Sequence, residues 1–251
     1  MPAYQLDKIK HADCGRGEGI RIMRTLGKAG VLGVAVGAAL AVTSPAAAQG
    51  NCARSTLEDV ANRYVKAQHD GAVFALPVGE WVDYRENYQL VSVNTGVIGQ
   101  PSDFAWHVDL VDTGNCRVFV QGVILKPKPY IVGTRLAWSF NGLGQIGSVV
   151  TQPGDPQFDA QATVDMASKE NWGEIPADKR DTRDALMAAA KASLAASGPQ
   201  LTDPEFTVDE TKGAVAVTGH VGGEDGPAAA KLFRIEGGKV VYSHTMTPKP
   251  T

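Results

Sequence analysis

Several familiar carriers of chemistry are missing from this sequence. It has no Gly-x-x-x-x-Gly-Lys phosphate loop, no Gly-x-Ser-x-Gly elbow and no His-Glu-x-x-His pair, which leaves P-loop, α/β-hydrolase and zinc-protease chemistry without their usual residues. The five histidines, His11, His69, His107, His220 and His244, are scattered, so no metal cluster is expected. Cysteine is scarce: Cys14, Cys52 and Cys116, with no Cys-x-x-Cys spacing. Beyond residue 48 there is no long apolar run and no polybasic tail, and acidic residues outnumber basic ones 24 to 18. A net charge of −6 on that part argues against nucleic acid or an anionic membrane as partner, since both select a basic face.

What the chain does have first is a leader. Arg21, Arg24 and Lys28 precede an unbroken small and apolar run, Ala29 to Val42, then Pro45 and the small residues Ala46 to Ala48. This reads as a cleavable signal peptide, too short for a stable anchor of about 20 residues. Residues 1 to 20 mix Asp7, Asp13 and Glu18 with basic residues, so either Met1 or Met23 is the start. Export, to a periplasm or outside the cell, is the expected address, with residues 1–48 removed. In an oxidising compartment Cys52 and Cys116 are expected to pair as a disulfide; the competing reading is a reactive thiol.

The remaining 203 or so residues suffice for one large domain or two small ones. Ser55-Thr56-Leu57-Glu58 predicts a capping box opening a helix over 56–69, closed by Gly71. Strands are predicted at Trp81 to Tyr88, Phe104 to Val111, Cys116 to Leu125, Tyr130 to Phe140 and Ile146 to Thr151, with Asn141-Gly142 as a hairpin turn. A loop at Asn171 to Pro176 and a helix from Asp184 to Ala196 follow. Strands return at Phe206 to Val208, Ala214 to Val221, Ala228 to Ile235 and Val240 to Thr245. Helix then sheet, twice, predicts an α+β fold with antiparallel pairing, divided as 49–166 and 167–251. No strict repeat shows in the residues themselves. The two halves form either one extended cone or two packed ones.

Several strings carry a family resemblance. They include Tyr84-Arg85-Glu86-Asn87, Leu110 to Cys116, Pro129 to Thr134, Asn171 to Arg183, and Leu232 to Lys239 with Tyr242, His244 and Thr245. In these the chain resembles a secreted family of unassigned function, frequent in filamentous fungi, within the nuclear transport factor 2-like (SnoaL-like) superfamily. The resemblance implies a cone-shaped, curved antiparallel sheet with packed helices and a Cys52–Cys116 bridge. It also implies an apolar pocket of the kind used by cofactor-free isomerases, cyclases, hydrolases and lyases, and by pure binding proteins.

Candidate chemistry lies on the predicted strands. His107 and Asp109, at i and i+2, share a strand face as a general base and its orienter. Tyr84 and Glu86 point the same way and offer a phenol and a carboxylate. Arg135, amid apolar residues, is placed to clamp an oxyanion, and Trp106, Trp138 and Tyr130 to hold an apolar or aromatic substrate. The plain alternative makes His107 and Asp109 the polar side of a half-buried strand, and Trp81, Trp106 and Trp138 core. His69 is expected to complement the first helix's C-terminus, and Arg180, Asp181 and Arg183 to be structural. The expected function is an exported, cofactor-free lyase or isomerase acting on a small apolar or aromatic molecule, such as a lignin-derived aromatic dimer. The second reading is a non-catalytic extracytoplasmic ligand-binding protein. Neither requires a metal, and a homo-oligomer is compatible with both.

Overall fold

A computed structural model describes residues 52–139, 141–197 and 200–250. The expected leader, Cys14 and both candidate starts lie outside the described residues. Those that are described all belong to one compact unit.

Helix α1 spans Arg54–Asp70 and buries Leu57, Val60, Ala61, Tyr64 and Ala67 along one stripe. Gly71 ends it in the left-handed region, φ 62, where a side chain would also meet the Pro101 ring at 2.6 Å. The predicted capping box does not form. The helix begins two residues earlier, with Ala53 as N-cap, and Glu58 accepts from Arg54 Nε at 2.8 Å instead of reaching back. Cys52 is bonded to Cys116, closing a separation of 64 residues. Loop entropy puts the stabilisation from such a cross-link at about 4 kcal/mol.

Six strands build the first sheet: β1 Val78–Glu86, β2 Gln89–Leu90, β3 Phe104–Asp112, β4 Arg117–Ile124, β5 Tyr130–Ser139 and β6 Gly142–Thr151, in the order β2-β1-β6-β5-β4-β3. Then come helices α2 Ala160–Ala167 and α3 Arg183–Ala196. Strands β7 Leu201–Asp209, β8 Ala214–Val221, β9 Ala228–Glu236 and β10 Lys239–Met246 form a second sheet, paired in sequence. The fold is α+β, with two mostly antiparallel sheets, neither closed into a barrel. Pairing is not wholly antiparallel: β1 lies parallel to β6, with Tyr84 opposite Ile146. Helix α2 was not expected, although Asp159 caps it by accepting from Ala162 N at 2.9 Å.

The two sheets repeat each other with a constant offset of 97 residues. Shifting by that number carries β3 (104–112) onto β7 (201–209), β4 (117–124) onto β8 (214–221) and the start of β6 (142) onto that of β10 (239). Registers correspond as well. Val108↔Gln121 becomes Glu205↔Thr218, Val118↔Leu136 becomes Val215↔Phe233, and Arg135↔Gly147 becomes Leu232↔His244. Even the bulges fall in matching stretches, at Gly144 in β6 and Val241 in β10.

Each half lays a helix across its sheet's outer face. α1 packs on Val111, Val118, Val120, Leu136 and Ile146, while α3 packs Leu186 and Ala190 on Val208, Val215, Val217 and Phe233. The inner faces meet in a third core that joins Leu110, Phe119, Ile131 and Val149 to Ala214, Ala216, Ala230, Leu232 and Met246. The layers are therefore helix, sheet, sheet, helix.

A reciprocal pair of buried aspartates joins the halves. Asp112 ends β3 and accepts from Val208 N at 2.9 Å; Asp209 ends β7 and accepts from Val111 N at 3.0 Å. Asp112 takes both guanidinium ends of Arg183 at 2.8 Å, and Asp209 those of Arg54 at 2.9 and 3.0 Å. Arg183 and Arg54 are the first residues of α3 and α1, so each helix is tied to the other half's strand. Breaking a buried pair of this kind costs about 3 kcal/mol. Asp112→Asn and Asp209→Asn are each expected to lower the unfolding free energy by about that amount in denaturant titrations. A loss confined to one of the two would show that the ties are not equivalent.

Candidate functional site between the sheets

The inner faces do not close completely. A cavity of about 190 Å³ lies among Arg135 of β5, Gln145, Gly147 and Val149 of β6, Glu205 of β7 and Thr218 of β8. Asp83 and Arg85 of β1 and Tyr88, at the tip of the β1–β2 turn, complete its rim.

The wall is polar and held in place. Arg135 is 5% exposed; its Nη2 donates to Gln145 Oε1 at 2.9 Å and meets Glu205 Oε2 at 2.5 Å. Arg117 Nη2 approaches the other Glu205 oxygen at 3.6 Å. Burial depresses the Arg135 guanidinium pKa, Glu205 opposes that shift, and Arg117 adds to it. Arg85 and Asp83 pair with each other at 2.9 Å. Asn87 and Tyr88 both have positive φ, 50° and 66°, the pair of values a tight two-residue hairpin turn demands. Asn87 pins that turn to β6, donating to Val150 O at 3.1 Å and accepting from Val150 N at 2.8 Å. Tyr88 is thereby held in a conformation costly for a bulky residue, with its ring 4.0 Å from that of His220.

Two neighbouring hydroxyls lie behind the cavity wall. The Tyr88 phenol and the Thr218 hydroxyl are both buried and neither makes a hydrogen bond. Burial raises the Tyr88 pKa, with the neighbouring Thr218 hydroxyl opposing.

Of the residues singled out from sequence, only Arg135 reaches this cavity. His107 is exposed on β3, on a shallow surface with His69, Asp103 and Phe104. Asp109 does not orient it: its Oδ2 takes Lys212 Nζ at 3.0 Å, and Lys212 also donates to Asp109 O at 2.8 Å. Side chains at i and i+2 stand about 6.6 Å apart along a strand, so the closer lysine takes the carboxylate. Tyr84 and Glu86 do meet, but beneath α1. Tyr84 is 2% exposed and its hydroxyl donates to Glu86 Oε1, which also accepts from Val97 N at 2.5 Å. Burial, then the Glu86 charge, pushes the Tyr84 phenol well above its ordinary pKa. The neighbouring chain Tyr64–Thr134–Ser148, at 2.7 and 2.8 Å, is likewise interior.

The aromatics separate. Trp138 packs against the core under α1, Tyr130 joins a small cluster with Ile124, Val132 and Val150, and Trp106 sits in the inner core beside His244. Trp81, expected in the core, is 84% exposed; β2 pairs only with Arg85 and Glu86, so among the described residues no strand pairs with that edge of β1 at Trp81. His69 lies in the last turn of α1 as expected, with Nδ1 2.5 Å from Asp103 Oδ1. The string Gly142-x-Gly144-x-x-Gly147 lies within β6 rather than at a strand-to-helix turn, so it cradles no dinucleotide. Sequence reasoning missed Tyr88, Gln145, Gly147, Glu205 and Thr218, which converge only once the sheets face each other. Among the described residues, no three His, Cys, Asp or Glu side chains converge to hold a metal ion, and no helix is long and apolar enough to cross a membrane.

Residues 192–247 match the family model of a domain of unknown function (DUF8021), a stretch running from α3 to the end of β10. Comparison with curated proteins and with solved structures finds no match.

Tyr84→Phe removes a buried hydrogen bond to a carboxylate without enlarging any space. It is expected to lower the unfolding free energy by about 1.5–3 kcal/mol, read in urea titration. An unchanged midpoint would remove Tyr84 and Glu86 from the structural core assigned to them here.

Proposed function

We propose that this is an exported small-molecule-binding protein whose ligand enters the cavity between the sheets. The carrying observation is the cavity itself, large enough for a small ring and walled by Arg135, Gln145 and Glu205 beside Gly147. Export is supported by the leader composition and by the Cys52–Cys116 bridge. Binding is favoured over lyase or isomerase catalysis because His107, the only histidine assigned a catalytic role, lies outside the cavity and Asp109 is committed to Lys212. A diaryl dimer is too large for the space: a cavity of about 150 Å³ accommodates one benzene, and a second ring would stay outside. The reading of each half as a cone of the nuclear transport factor 2-like superfamily is likewise our proposal. It is supported by a helix laid across a bulged, mainly antiparallel sheet.

Gly147 gives a direct test, because an added Cβ would meet only the Arg135 guanidinium, at 3.9 Å. Gly147→Val is expected to fold as the parent does, since valine suits a strand, while filling the cavity. After incubation with a metabolite extract and gel filtration, native mass spectrometry should show a small compound retained by the parent and by His107→Ala, and lost from Gly147→Val. Identical retention by the parent and Gly147→Val would sink the assignment.

A further inference from the structure

The internal repeat puts Gly147 and His244 at equivalent positions of the two sheets, facing Arg135 and Leu232 across the strand pairs. At the second position the space is full. His244 is 4% exposed, with its ring 5.5 Å from that of Trp106 and 5.4 Å from that of Trp172. Its Nε2 lies 2.7 Å from Glu170 Oε2, which also accepts the Trp172 indole N–H at 2.9 Å. At the first position Gly147 supplies no ring and the cavity stands in its place.

We propose that the cavity takes a single-ring aromatic or heteroaromatic acid, its ring over Gly147 as the His244 imidazole fills the equivalent space, its carboxylate toward Arg135. This inference rests on the cavity being a ligand site. Three observations select the class. A volume of about 190 Å³ exceeds the roughly 150 Å³ that holds benzene by room for one small substituent. The residue opposite the ring is apolar Leu232 in the filled half and cationic Arg135 in the empty one. The rim pair Arg85 and Asp83 neutralise each other, whereas Arg135 shares its one carboxylate, Glu205, with Arg117 behind the wall. One ligand carboxylate would give Arg135 a second acceptor.

Calorimetric titration of the disulfide-bonded protein with benzoate, benzyl alcohol and butyrate tests the proposal. Benzoate is expected to bind one to one and at least about tenfold more tightly than the other two. Gly147→His, which supplies the ring covalently, should abolish benzoate binding. Arg135→Leu should weaken it at least about tenfold and leave benzyl alcohol unaffected. Benzyl alcohol or butyrate binding as tightly as benzoate, lost in Gly147→His, overturns the acid class and leaves the ligand site standing. If none of the three binds, the acid class is likewise overturned, and the retention comparison between the parent and Gly147→Val then decides whether the site falls with it. A second arm empties the equivalent space. His244→Gly should gain thermal stability from free imidazole while the parent does not, and a folded variant that ignores imidazole overturns the equivalence. Gly147→His keeps the test decisive where His244→Gly does not fold.

Discussion

Two carboxylates without solvent, Asp112 and Asp209, are the constraint on which the architecture depends. A buried carboxylate is tolerable only when its lone pairs are filled. Asp112 is filled by Arg183, by Val208 N and by the amides of Gly114 and Asn115; Asp209 by Arg54, by Val111 N and by those of Thr211 and Lys212. Gly114 and Asn115 correspond to Thr211 and Lys212 under the same 97-residue shift. Each aspartate thus caps its own turn, holds the other half's helix by its first residue, and docks the other half's strand. No half satisfies its own carboxylate alone. The Cys52–Cys116 bridge joins the same end of the molecule, tethering the chain just before Arg54 to the turn just after Asp112.

Once the halves are locked face to face, the difference between their inner surfaces decides where space remains. The outer faces are nearly interchangeable: Val111, Val118 and Val120 under α1 correspond to Val208, Val215 and Val217 under α3. The inner faces diverged. Phe119 corresponds to Ala216, Gly133 to Ala230 and Gly147 to His244, so bulk on one sheet meets small residues on the other. Met246 fills the space above Gly133, where a Cβ would lie 2.3 Å from its methyl. Above Gly147 no side chain does the same, and a cavity persists. It is bounded by an ion pair that would be costly to bury without Gln145 and Arg117 beside it.

Much of the fold was legible because periodicity reports burial. The apolar stripe of α1, the alternation in the first sheet, the β5–β6 hairpin and the left-handed Gly71 all follow from local rules, although Gly142 pairs with Ser139 as the first residue of β6 instead of standing in the turn. What failed was decided elsewhere in the chain. Arg54 is drawn to Asp209 and takes Glu58 with it, so the capping box lost its glutamate to a residue that sequence spacing ignores. β1 lies parallel to β6 because it adds to the edge of a meander formed much later in the chain. The repeat itself was hidden because its conserved feature is register, not identity. Val-Asp at 111–112 and 208–209, and Gly122 and Gly219, become a pattern only when pairing shows which positions to compare.

The same distinction explains why the cavity between the sheets was not legible in the sequence. Reasoning from sequence looks for residues whose chemistry is conspicuous, and His107 and Asp109 were conspicuous. The cavity proposed as a ligand site is marked instead by a residue with no side chain. Gly147 is silent in sequence, yet its counterpart His244 shows how much volume a ring takes at that position, buried between Trp106 and Trp172. The residues beside the gap, Arg135, Tyr88 and Thr218, come from three separate strands or turns and meet only where the two sheets face each other. On the proposal above, a ligand would occupy in the first half the space that the second half fills with its own ring.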